Sequence, residues 1–145
     1  MKPVQILLVE DNEGDILLIR EALEEARIIN QMNSVKDGHR AIQYLCNEGE
    51  YTSAVRPDLI LLDINLPKKN GLEVLNFIKT SDHLRQIPVV MLTTSSSTTD
   101  IGAAYRNYAN CYITKPVGAD DFLKVIADIE NFWFSIVKLP NEGQN

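Results

Sequence analysis

Leu59-Ile60-Leu61-Leu62-Asp63-Ile64-Asn65-Leu66-Pro67 is the stretch whose reading decides the fold. Four consecutive apolar residues without polar alternation describe a strand covered on both faces, the pattern of a parallel sheet's interior. The run stops on an aspartate. Asn65 and Pro67 then mark a turn, because proline cannot continue a central strand. A carboxylate at the carboxyl end of such a strand lies at the rim where open α/β sheets bind ligands. Asp63 is therefore the first candidate functional residue.

Outward from this stretch the same pattern recurs. Val4 to Val9 is a second buried strand and ends in Glu10-Asp11. Ile87 to Leu92 is another, ending in Thr93-Thr94, and the short Cys111-Tyr112-Ile113 ends in Thr114-Lys115-Pro116. Asn30 to Val35 is more polar, as an edge strand would be. Helical patterns separate these strands. Asn12 can cap the first, with Glu13 and Asp15 complementing the dipole in its opening turn and Ile16, Ile19, Leu23 and Ala26 on one stripe. Ala41, Ile42 and Leu45 follow the break at Asp37-Gly38. Leu72, Leu75 and Ile78 repeat at helical spacing after Gly71. Ser97-Thr98-Thr99-Asp100 resembles a capping box, and the last helix begins near Ala119.

Five strands alternating with five helices predict an α/β fold, a doubly wound five-stranded parallel sheet. The flavodoxin-like strand order 2-1-3-4-5 is the common solution. It sets the ends of strands one and three side by side, so Glu10, Asp11 and Asp63 should converge. Residues 1–145 read as one domain, with a C-terminal helix extension at about 130–140.

Composition narrows the function. Net charge is −6, from 14 basic and 20 acidic residues, which argues against a DNA-binding surface. No apolar run approaches the roughly 18 residues of a membrane span, and the N-terminus lacks the apolar core of a signal peptide. Cys46 and Cys111 fit no paired metal or redox spacing and read as small core residues of a cytoplasmic protein. His39 and His83 have no partner at ligand spacing.

Three carboxylates brought together repel, and a hard divalent cation such as Mg²⁺ relieves this with few protein ligands and a phosphate to share. Thr93 adds a hydroxyl and Lys115 a positive charge at the neighbouring strand ends. Cation, ammonium and hydroxyl together suit the equatorial oxygens of a phosphoryl group in transfer. Asp63 would be the carboxylate that accepts it. No GxxxxGK[ST] loop holds a nucleotide, so the donor must come from elsewhere.

These positions make the chain resemble, from end to end, the receiver domains of two-component response regulators. The resemblance matches the family's acidic pair to Glu10-Asp11, its phosphoacceptor to Asp63, its strand-four hydroxyl to Thr93 and its Lys-Pro to Lys115-Pro116. It implies Mg²⁺, or Mn²⁺ in its place, held by Asp11, the Asp63 carboxylate and the Asn65 main-chain carbonyl, with Glu10 assisting through water. It further implies a switch pair of Thr93 and Tyr112, a cis bond before Pro116, and a phosphoacceptor that assists its own phosphorylation and dephosphorylation rather than a turnover enzyme. Glu10 departs from the family's usual aspartate, and Thr94 is bulkier than the alanine or glycine often found after the hydroxyl.

The tail, Phe132-Trp133-Phe134 through Val137 and Leu139, and the absence of an output domain resemble the regulators that serve phytochrome histidine kinases. Phe122, Ile126, Ile129, Trp133 and Ile136 form one stripe suited to the core. Phe132, Trp133, Phe134, Val137 and Leu139 are also candidates for a partner surface, as a homodimer interface or a kinase dock. Three rivals stand beside this reading. A phosphatase with an aspartyl nucleophile would want a second acid where Asn65 stands. A flavodoxin-like binding module would want a phosphate-cradling loop in place of Glu10-Asp11. A docking-only receiver would not need the acid, hydroxyl and lysine set.

Overall fold

Two apolar layers sandwich one parallel sheet. The computed structural model describes residues 2–26 and 29–136, with the side chains of 134–136 left out. The strands are β1 (Val4–Val9), β2 (Asn30–Val35), β3 (Leu59–Leu62), β4 (Val89–Thr93) and β5 (Cys111–Thr114), in the order β2-β1-β3-β4-β5. All neighbouring pairs are parallel, and β1 aligns Ile6 with Leu59 and Val9 with Leu62. The helices are α1 (Glu13–Glu24), α2 (Gly38–Leu45), α3 (Gly71–Thr80), α4 (Thr98–Arg106) and α5 (Ala119–Glu130), with a short 3₁₀ turn at Gly49–Tyr51.

Strand alternation decides which layer each residue enters. Leu7, Val9, Ile60, Leu62, Val89 and Met91 pack against Ala41 and Leu45 of α2, Leu75 and Ile78 of α3, and Ala104 of α4. Ile6, Leu8, Leu59, Leu61, Val90 and Leu92 face the other way, against Ile16, Ile19 and Leu23 of α1 and Phe122, Ile126 and Ile129 of α5. Because both faces are covered, β3 is buried at every position, as its unbroken apolar run requires. The edge strand β2 alternates between half-buried and exposed from Asn30 to Ser34, which is why that part is polar, and ends on the buried Val35.

Side-chain caps fix the starts of α1 to α4. Asn12, Asp37, Asn70 and Ser97 accept hydrogen bonds from the main-chain N–H groups of Asp15, Arg40, Glu73 and Asp100. The capping box expected at Ser97 is only half made, since Asp100 accepts from Ser95 Oγ at 2.6 Å instead of returning to Ser97. At the amino edge of the sheet, Lys79 Nζ donates to the carbonyls of Arg85 and Ile87 and to Asn110 Oδ1, at 3.0, 2.8 and 3.3 Å. Asn110 Oδ1 also accepts from Val89 N at 2.8 Å, and Asp58 Oδ2 accepts from Gln5 N at 2.9 Å.

Three expectations need correction. Trp133 is not a partner surface: at 8% exposure it joins the layer of α1 and α5, on a π-helical turn (Asn131–Ile136) that continues α5. Its spacing from Phe122, Ile126 and Ile129 keeps it on the buried stripe. Cys46 and Cys111 are free thiols but only partly buried, because Cys46 ends α2 and Cys111 opens the short edge strand. The Lys115–Pro116 bond is trans, as are all peptide bonds among the described residues. The imide before proline separates its isomers by only about 1 kcal/mol, so the resemblance could not fix that geometry. Of the remaining tail residues, Phe134 is described in its main chain only, and Val137 and Leu139 lie outside the described residues.

Placing Trp133 in the core has a measurable consequence. Trp133→Ala should cost about 3–5 kcal/mol of stability, against about 1 kcal/mol or less for the half-exposed Phe132→Ala. Urea unfolding of both variants checks this, and near-equal losses would return Trp133 to the surface.

Candidate functional site

The site is built from the carboxyl ends of β1, β3, β4 and β5. Sheet hydrogen bonding carries each chain to the rim in register: Glu10 N donates to Val35 O, Asp63 N to Val9 O and Lys115 N to Thr93 O, at 3.0, 3.1 and 2.7 Å. Glu10, Asp11 and Asp63 thereby converge, each offering an oxygen within 4.8 Å of the others. Glu10 and Asp63 are buried, whereas Asp11 is exposed. The strand order was legible in the sequence, and so was this convergence.

One ammonium holds the cluster together. Lys115 Nζ donates to Glu10 Oε1, to Asp15 Oδ2 at 2.9 Å and to Asp63 Oδ2 at 3.3 Å, with its side chain only 3% exposed. Burial works against that charge, but hydrogen bonds to Glu10 and Asp15 and the charge of Asp63 keep the Lys115 pKa above the ordinary lysine value. Burial pushes Glu10 the other way, up to about 7, with the Asp63 charge adding to it; the Lys115 and Asn12 hydrogen bonds only partly offset this. Asn12 N donates to Glu10 Oε2 at 3.1 Å, and Asn65 N donates to Asp63 Oδ1 at 3.3 Å.

The donor set suits a hard divalent cation. Of the three converging carboxylates the Lys115 ammonium pairs with Glu10 and Asp63 but not with Asp11, so negative charge remains in excess, and oxygen ligands of this kind match Mg²⁺ or Mn²⁺. Lys115 already stands among them as a cation.

Thr93 is fully buried at the end of β4, and its Oγ1 accepts from Ser95 N at 3.4 Å. The Tyr112 hydroxyl donates to the carbonyl of the same Ser95 at 2.8 Å, with its ring packed against the α2, α3 and α4 layer. Both members expected of a switch pair thus meet one loop residue.

Some contributors were not legible. Asp15 suits the α1 dipole by position, and nothing local in the sequence announces its reach to Lys115. Gly71 and Gly38 look like turn formers, yet each permits a close approach. A Cβ on Gly71 would lie 1.9 Å from the Asp63 carbonyl oxygen, and one on Gly38 1.8 Å from that of Lys69. The bare backbone at these positions lets α3 and α2 press against the loop that carries Asp63.

Comparison with known proteins agrees with this geometry. The sequence profile of the response regulator receiver domain matches residues 6–127. The chain is 46% identical over 138 residues to response regulator Rcp1 of Synechocystis sp., covering 95% of this chain and 94% of that protein. It is 41% identical over 139 residues to the probable methanogenesis regulatory protein FilR2 of Methanothrix harundinacea, covering 95% and 88%. Among solved structures, the phosphorylated cyanobacterial phytochrome response regulator RcpA superposes with a TM-score of 0.93 at 48% identity, covering 96% of this chain and 99% of that one. The Mn²⁺-bound form of Rcp1 gives 0.93 at 46% identity, covering 95% and 99%. With the acidic cluster, the buried lysine and the sheet order in agreement, the chain belongs to the response regulator receiver family.

Proposed function

We propose that this receiver takes a phosphoryl group from the phosphohistidine of a sensor histidine kinase, of the phytochrome type, onto Asp63. The observation that carries the reading is Asp63 itself: a buried carboxylate at the central strand end, 3.3 Å from the Lys115 ammonium and convergent with Glu10 and Asp11. The likeness to RcpA, a cyanobacterial phytochrome response regulator, supports the choice of kinase.

A carboxylate oxygen of Asp63 attacks phosphorus as the phosphorus–nitrogen bond of the donor breaks. The nitrogen keeps the electron pair and takes up a proton, and Asp63 becomes an acyl phosphate. Lys115 offers its ammonium, and Thr93 its hydroxyl, to the phosphoryl oxygens. Glu10, Asp11, Asp63 and the Asn65 carbonyl would hold the divalent cation, which when bound neutralises charge on the transferring group. The protein thus assists its own phosphorylation and dephosphorylation without being a turnover enzyme. Once Thr93 moves to the phosphoryl group, the Ser95 loop passes the change to Tyr112 and to the face of α4, β5 and α5. Among the described residues no helix is long and apolar enough to cross a membrane. A cytoplasmic location is part of the proposal and rests on the expected histidine kinase donor.

Half-exposed Phe132 and Leu123 leave an apolar face on α5 and its extension, which we assign to a homodimer. Sedimentation with and without phosphorylation should show a dimer; a monomer in both states at high concentration, with the face instead protected by kinase, would overturn that assignment.

Intact mass after incubation with Mg²⁺ and acetyl phosphate tests the acceptor. One phosphoryl adduct is expected on the wild type, none after prior chelation and none on Asp63→Asn. An adduct that persists in the variant would mean another carboxylate accepts. An autophosphorylated phytochrome kinase should label the protein faster than acetyl phosphate; inertness of that donor alone would shift the reading to another kinase.

Cation binding should also follow pH. With Glu10 at about 7, the cation-free folded protein carries a proton there at lower pH and loses it at higher pH. Mg²⁺ affinity should therefore fall as pH drops through about 7, each binding event releasing a proton in that window. Calorimetric titration in buffers of different ionisation enthalpy measures both, and Glu10→Gln should flatten the dependence.

A further inference from the structure

We infer that Asp15 is a positioning residue that keeps Lys115 at the phosphoryl site when a divalent cation claims the other carboxylates. The inference rests on the phosphoacceptor reading above. An ammonium has three hydrogens, and Lys115 spends them on Glu10, Asp15 and Asp63. These three partners are not equivalent. Glu10 and Asp63 belong, with Asp11, to the set whose oxygens converge within 4.8 Å; Asp15 does not. A cation drawn to that set competes with Lys115 for Glu10 and Asp63, and its charge repels the ammonium. Asp15 is the anion left to Lys115.

The anchor is well founded. Asp15 sits in the first turn of α1, where its main-chain N–H donates to Asn12 Oδ1 at 2.9 Å. Its carboxylate is 22% exposed and lies 2.9 Å from Nζ. Lys115 is thus fixed twice, through its N–H on the Thr93 carbonyl and through its ammonium on α1. Without Asp15 a four-carbon stem with several rotatable bonds would be free to withdraw once the cation binds. The contact joins residues 100 positions apart.

The test measures Asp63 labelling by acetyl phosphate at saturating Mg²⁺ for the wild type, Asp15→Asn, Lys115→Gln and the double variant, with intact mass as readout. Asp15→Asn keeps the main-chain cap and should slow labelling about five- to tenfold. In the Lys115→Gln background the same change should alter the rate less than about twofold. Asp15→Glu, which keeps the charge, should recover most of the rate and guards against a folding defect in the asparagine variant. Equal slowing in both backgrounds, or wild-type labelling by Asp15→Asn, would overturn the inference. So would a tenfold or greater loss of Mg²⁺ affinity in Asp15→Asn, since Asp15 would then act as a cation ligand. Absence of labelling on the wild type itself would sink the phosphoacceptor reading, and this inference with it.

Discussion

A buried ammonium among carboxylates is the constraint on which this molecule depends. A lysine whose side chain is 3% exposed cannot stay charged without partners, and its partners come from β1, α1 and the end of β3. None is its neighbour in the chain, so the ion cluster forms only when the sheet has closed in its native order. Such a cluster is a poor source of stability, because desolvation offsets much of the attraction. The two apolar layers supply the stability, and the cluster occupies the rim they leave open.

Much of this was readable from the chain because a parallel sheet writes its strands as unbroken apolar runs. Leu59 to Leu62 could only be a strand covered on both sides, and the alternation with helices then left few ways to order five strands. Once the order was set, the acids at the ends of β1 and β3, the hydroxyl at the end of β4 and the lysine after β5 each had a place. What escaped notice depended on contacts far apart in sequence. Asp15 looks like any first-turn acid until α1 is laid beside the β5–α5 loop. Gly71 looks like a turn residue until α3 is seen against the Asp63 carbonyl. Trp133 had the spacing of a core residue, yet the apolar composition of its neighbours also suggested a surface.

The loop after β4 shows how a small stretch can join chemistry to shape. Ser95 gives its N–H to Thr93, its carbonyl to Tyr112 and its hydroxyl to Asp100 at the head of α4. Tyr112 N in turn donates to the Tyr105 hydroxyl, farther along that helix, at 3.2 Å. A displacement of Thr93 therefore cannot be absorbed locally without disturbing β5 or α4.

The bonds at the amino edge of the sheet give the opposite end another character. Lys79 ties the end of α3 to the segment before β4, Asn110 locks β4 to the start of β5, and Asp58 binds β1 where β3 begins. The two ends of the sheet are thus tied differently: the foundation by amide and ammonium bonds that join strand starts, the rim by charged side chains and one loop. A change of charge at the rim bears first on the contacts that join its loops, because Lys115 and Ser95 bond across them. Bonds that hold strand starts each have an uncharged partner, and those that Lys115 makes at the rim pair charge with charge, so the scaffold separates the part of the molecule that sets its shape from the part that answers to a charge.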